Sequence, residues 1–174
     1  MTGCDDKGAS MKLFDASSLI CLLREIKERG VLDICSVLGY ELYTTYEVYE
    51  ELKKNKETFQ LFNEYGIIGV LPQVDADKIE KLKHKYVWMH DGEASVIING
   101  EYLKEHGIPL YCIIDEKARK IAKNRNLPTT GTVGLILWEY DREQLSKTDL
   151  LRIEKELKES SFRITDDILR LLEK

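Results

Sequence analysis

The chain has 174 residues, 43% of them hydrophobic and 33% charged, with only 3 prolines; this suits one well-buried core and is too short for two comfortable domains. The balance excludes a disordered chain, and no stretch approaches the length of a bilayer-spanning helix. A net charge of −5 argues against a dedicated nucleic-acid binder on charge alone.

Residues 1–10 are polar and small, lack the apolar core of a secretory signal, and read as a disordered leader or remnant, with Met11 the natural start. Cys4, Cys21, Cys35 and Cys112 are scattered without CxxC or zinc-type spacing. They read as reduced thiols of an intracellular, cytoplasmic protein.

Met11-Lys12-Leu13-Phe14 is a short apolar strand that runs into Asp15, and a helix begins at once. Over residues 17–29, Leu19, Ile20, Leu22, Leu23 and Ile26 form a helical stripe that Gly30 is expected to stop. This apolar content exceeds what one face of a surface helix needs, which suggests a homodimer. Glu41 to Thr44 is β-prone and leads into a helix over residues 46–54. Gly66 to Leu71 is a further short strand ended by Pro72. Residues 75–86 form a helix with Ile79, Leu82 and Tyr86 on one face, and residues 91–105 a more apolar, central one. Ile108 to Ile114 repeats the opening grammar: an apolar strand ends on Asp115, and a helix over residues 116–125 follows. After Pro128 come Thr129 to Gly134, an apolar run over residues 135–138, and two further helical stretches.

Strands alternating with helices predict a three-layer α/β/α sandwich around a mainly parallel sheet. Residues 11–145 form the domain, and residues 146–174 a helical extension packed on it.

Parallel strands open their carboxyl ends onto one crevice, so Asp15 and Asp115 are expected to face the same site. Each also suits a plain N-cap role, and that alternative stays open. Two further acids stand at helix positions. Asp91-Gly92-Glu93-Ala94 opens the apolar helix, placing Glu93 in its positive end, with Asp91 as a cap. On the second helix, at roughly 100° per residue, Glu51 lies about 60° from Val48 and Glu50 about 160° from both Val48 and Leu52. Glu50 therefore faces water and Glu51 the edge of the buried face; Glu47 stays a further candidate. Carboxylates without His or Cys partners make an all-oxygen site suited to Mg²⁺ or Mn²⁺. Phosphodiester hydrolysis is the natural chemistry of such a site, because the metal lowers the pKa of an attacking water. Lys117, Arg119, Lys120, Lys123 and Arg125 crowd the helix after Asp115, and Lys81, Lys83, His84 and Lys85 another segment. Either is a phosphate track or a solvated face.

In order and spacing these segments resemble the PIN-domain nucleases. The carrying motifs are Phe14-Asp15-Ala16-Ser17, the stretch from Thr44 to Leu52, Asp91-Gly92-Glu93-Ala94 and Ile114-Asp115-Glu116-Lys117-Ala118-Arg119. Gly131-Thr132-Val133-Gly134 is similar to a further family element beside the site, and Phe162-Arg163-Ile164 to the tail of a prokaryotic branch. Glu93 stands where the family more often has Asp.

The resemblance implies catalytic and metal-binding roles for Asp15, Glu51, Glu93 and Asp115, with Glu47, Glu50, Asp91 and Glu116 as neighbouring acids and the hydroxyls of Ser17 and Thr132 assisting. It implies Mg²⁺- or Mn²⁺-dependent cleavage of single-stranded RNA, often as the toxin paired with a small antitoxin protein, and often in a homodimer. Arg119, Lys120 and Lys123 are the expected RNA contacts. Two other readings stay open: a PIN-like module that binds RNA or a partner without cleaving it, and a metal-dependent phosphatase. Ser17 stands where an aspartyl phosphatase usually carries the second Asp of Asp-x-Asp, which counts against the latter.

Overall fold

The innermost strand, β1 (Met11–Phe14), is buried along its whole length. Its neighbours are β2 (Glu41–Thr45) and β4 (Leu110–Ile113), with β3 (Gly69–Leu71) and β5 (Thr129–Thr130) at the edges, in the order β3-β2-β1-β4-β5. All pairs are parallel, as the apolar runs predict, and the sheet is flanked by helices. The computed structural model describes residues 11–160. The expected leader and the Phe162-Arg163-Ile164 segment lie outside the described residues.

Phe14 lies opposite Thr44 on one side and Ile113 on the other. The central strands therefore end level, and the register continues one step further as Asp15 N donates to Ile113 O at 3.1 Å.

The helices are α1 (Ala16–Ile20), which runs into a π-helical turn (Cys21–Glu25), then α2 (Arg29–Val37), α3 (Tyr46–Leu52), α4 (Lys56–Tyr65), α5 (Ala76–Lys85), α6 (Asp91–Glu105), α7 (Glu116–Asn124), α8 (Thr132–Asp141) and α9 (Lys147–Glu159). Their starts are set by local side chains. Thr45 caps α3 through Val48 N, and Asn55 caps α4 through Thr58 N. The apolar helix expected over residues 91–105 is α6, buried almost all round from Ala94 to Gly100.

Gly30 does not stop the first helix. That helix closes on Ile26 after the π turn, Lys27 takes a left-handed φ of 51°, and Gly30 falls in the first turn of α2. Leu19, Leu22, Leu23 and Ile26 are all buried within the chain, against α2, α3 and α4 among other elements. These four residues thus offer no surface for a second copy, and the homodimer expectation rests on resemblance alone. The strand of residues 108–114 is shorter than expected, and the apolar run after Gly131 is the helix α8. Helix α9 buries Leu150, Ile153 and Leu157 in the same core. Among the described residues no helix is long and apolar enough to cross a membrane.

Candidate active site

Asp15 ends β1 and caps α1. Its Oδ1 accepts from Ser18 N at 2.9 Å and its Oδ2 accepts from Asp115 N at 3.0 Å, so one carboxylate ties the ends of two adjacent strands together. The side chain is 1% exposed. Burial pushes its carboxyl up to about 6, against the lowering effect of the Ser18 and Asp115 amides. Asp115 is half-buried and caps α7, its Oδ1 accepting from Ala118 N at 2.9 Å.

Glu93 lies in the first turn of α6, where its Oε2 accepts from His90 N at 3.1 Å. Its carboxyl is pushed up to about 8, first by burial, then by a hydrogen bond to the Asp115 side chain and by the charges of Asp115 and Asp15. The nearby Asp115 and Asp15 charges disfavour the ionised form of Glu93, because like charges repel. Asp15, Glu93 and Asp115 are therefore brought together from three elements that begin or end on the same side of the sheet.

Helix α3 contributes differently. The Glu51 carboxylate lies so close to α6 that a Cβ on Gly92 would sit 2.6 Å from its Oε2. Burial raises its pKa while His90 and Lys54 lower it, so the charges around it are those of His90 and Asp91 at the start of α6 and of Lys54. Glu50 pairs with Lys53 at 2.7 Å on the surface, as its helical phase predicts. Both oxygens of Glu47 are enclosed and accept no hydrogen bond. Asp91 pairs with Lys83 at 2.5 Å, and the N-cap of α6 is His90 instead of Asp91. Glu116 is exposed, 3.9 Å from Lys120.

Of the two expected hydroxyls, Thr132 is buried at the start of α8 with an unpartnered Oγ1, and Ser17 is half-buried. The hydroxyl residue that supports Asp15 is Ser18, whose Oγ also donates to Ile113 O at 3.2 Å. Its signal was present, since an Asp N-cap accepts from the amide of the third residue along. The Arg119 guanidinium covers Gly131, where a Cβ would meet its Nη1 at 2.7 Å, so it sits beside the turn that carries Thr132. Among the described residues it has no ion pair. Lys120 and Lys123 are exposed, and Arg125 is held by Glu101 at 2.7 Å.

The PIN-domain profile matches residues 11–173. The chain belongs to the PIN-domain family. Comparison with curated proteins gives no match. PIN domains are in general nucleases, and their active sites typically use divalent metal ions.

As they stand, no three His, Cys, Asp or Glu side chains among the described residues are grouped so as to hold a metal ion. The donor set nevertheless fits one in kind. It is all carboxylate oxygen, hard enough for Mg²⁺ or Mn²⁺ and without the nitrogen or sulfur that selects zinc. The charges of Asp115 and Asp15 raise the Glu93 carboxyl, and a divalent cation would offset that repulsion. The enclosed, unpartnered oxygens of Glu47 and Thr132 are further acceptors without a donor.

Proposed function

We propose that this PIN domain is a Mg²⁺- or Mn²⁺-dependent endoribonuclease that hydrolyses single-stranded RNA, with Asp15, Glu93 and Asp115 as the central metal ligands and Glu51 as the ligand from α3. The observation that carries the reading is that Asp15 and Asp115 follow two adjacent parallel strands, with Asp15 Oδ2 on the Asp115 amide, and that Glu93 meets them from the first turn of α6. A bound Mg²⁺ or Mn²⁺ supplies an activated water and neutralises charge on the phosphate. The chain's own part is to orient. The Ser18 and Asp115 amides fix Asp15 and the His90 amide fixes Glu93, so these carboxylates would be oriented to hold the cation. Arg119, Lys120 and Lys123, on the helix that starts at Asp115, lead the phosphate backbone towards the acids.

A place as the toxin of a toxin–antitoxin pair, with a small antitoxin protein as partner, is proposed on family grounds only. The deciding experiment is RNA cleavage by the purified protein with Mn²⁺, with Mg²⁺ and with chelator, beside Asp115→Asn. Cleavage that needs the metal and disappears in the variant supports the reading. Tight RNA binding without cleavage under any metal favours the non-catalytic module.

A further inference from the structure

Between α5 and α6 the chain presents an aromatic ledge beside the acidic site that the proposed chemistry leaves unused. Tyr86 and Trp88 lie 6.1 Å apart between ring centroids, tilted by 55°, and both are half-buried against the core. The residue between them, Val87, is 92% exposed, the most exposed large hydrophobic among the described residues. The turn is anchored by the buried Met89, whose N donates to Tyr86 O at 2.9 Å. It also adjoins the acids on two sides. Two residues after Trp88 is His90, whose amide holds Glu93, and Lys117, two residues after Asp115, places its Nζ 5.6 Å from the Trp88 ring. Lys85 stands 5.5 Å over Tyr86.

We propose that Tyr86 and Trp88 are a stacking platform for one unpaired base of the RNA, next to the phosphate that is cut. The inference rests on the ribonuclease reading above and names how that site selects its strand. Every base offers a π-face to an aromatic ring, whereas a duplex keeps its bases stacked on one another, so the platform favours single strands without fixing a sequence. Charge fits the same occupant. Lys117 and Lys85 touch the rings loosely, near the limit of a cation–π contact, and are free to turn to the phosphates on either side of a stacked base. A small, basic, partly apolar surface tied to the acids through Lys117 and His90 matches a nucleotide better than a protein helix, which would need a longer apolar groove.

The test is binding of a short mixed-sequence oligoribonucleotide to Asp15→Asn protein, in which the strand survives, beside the same strand with one abasic ribose moved along it. Trp88→Ala should raise Kd about 10-fold, the size of one base–aromatic stack. That penalty should vanish when the abasic ribose occupies the stacked position. Trp88→Phe should keep the affinity and lose the quenching of tryptophan fluorescence on binding. Unchanged affinity in Trp88→Ala, or an equal loss for intact and all abasic strands, would overturn the platform and leave Trp88 a packing residue. If the wild-type protein still cleaves RNA in that case, only the platform falls. If no RNA is cleaved by the wild type or bound by Asp15→Asn, the ribonuclease reading fails and the platform with it.

Discussion

Asp15 Oδ2 accepts the backbone amide of Asp115, 100 residues away in sequence, at 3.0 Å. The two acids are thus unequal partners: the Asp15 carboxylate accepts two amides, whereas that of Asp115 accepts one, from Ala118, and stands near Glu93.

This inequality separates the two substitutions that remove their charge. Asp115→Asn keeps an oxygen for Ala118 N and relieves the crowding with Glu93, so its melting temperature should equal or exceed that of the wild type without metal. Asp15→Asn turns an amide donor towards either Ser18 N or Asp115 N and should cost ~1 kcal/mol, about one buried hydrogen bond. Both should abolish metal-dependent cleavage and the rise in melting temperature on adding Mn²⁺. Thermal melts beside a cleavage assay read all four outcomes. A variant that loses stability yet cleaves normally would make that Asp a cap and nothing more.

How much of this is legible in the sequence depends on how local each signal is. Asp15 and Asp115 stand out because strand, acid and helix start lie within a few residues, and α6 because its apolar positions run all round. The water-facing side of Glu50 follows from helical phase. Phase does not say which part of α6 Glu51 meets, because that depends on how α3 packs on Gly92. Gly30 misleads since a glycine is a stop only if the helix reaches it, and the π turn ends the helix earlier. The surplus apolar face of α1 and its π turn looks unpartnered because the helices that cover it, α2, α3 and α4, meet it only in the packed fold; the stripe of Phe59, Phe62 and Tyr65 on α4 does not say what it covers.

Gly92 is the lever on Glu51. A methyl group there meets Glu51 Oε2 at 2.6 Å and Val48 Cγ2 at 3.3 Å, while alanine suits a helix better than glycine. Gly92→Ala should therefore fold well, displace the Glu51 carboxylate and lower cleavage by ~10-fold or more. The double variant with Glu51→Gln should be no worse than Glu51→Gln alone, since both act on the same pair of groups. Should Glu51→Gln keep the full Mn²⁺ response, the enclosed Glu47 takes its place as the ligand from α3, and Glu47→Gln should then lose that response.

Lys120 and Lys123 face water on α7, and Lys120 has only a loose pair with Glu116 at 3.9 Å. Surface charges of this kind contribute little to stability, so replacing both with Gln should leave the melt unchanged. If they meet the RNA backbone, the slope of log affinity against log salt should flatten by ~0.7 for each lysine–phosphate pair removed, independent of the base sequence. A titration in potassium chloride measures it. An unaltered slope would confine RNA recognition to other residues.

Lys12 is wholly buried in β1 with no hydrogen-bond partner for Nζ. Trp138, Tyr40 and Tyr111 surround it with ring centroids at 3.8, 4.1 and 4.7 Å, and the buried Glu139, which accepts from Cys35 Sγ at 3.0 Å, lies near. Two effects oppose each other. The rings favour the ammonium by roughly 2 kcal/mol per desolvated contact, whereas removing it from water costs several kcal/mol and its carboxyl neighbour is itself largely protonated. Burial wins and brings Lys12 down to about 7, while burial lifts Glu139 to about 8. The sign follows from proton counts. From pH 4.5 to 7 the folded state keeps the Glu139 proton that the unfolded state releases, so stability falls as pH rises. Between 7 and 8 the two groups offset each other. Above 8 the unfolded chain still binds the Lys12 proton that the folded chain has lost, so this lysine adds stability with rising pH until about 10. In Lys12→Met that alkaline gain is absent. The stability difference between wild type and variant, measured by urea unfolding from about pH 8 to 10, should therefore move in favour of the wild type by up to ~1.4 kcal/mol per pH unit. A difference that is flat over this range would mean that the aromatic cage keeps Lys12 charged.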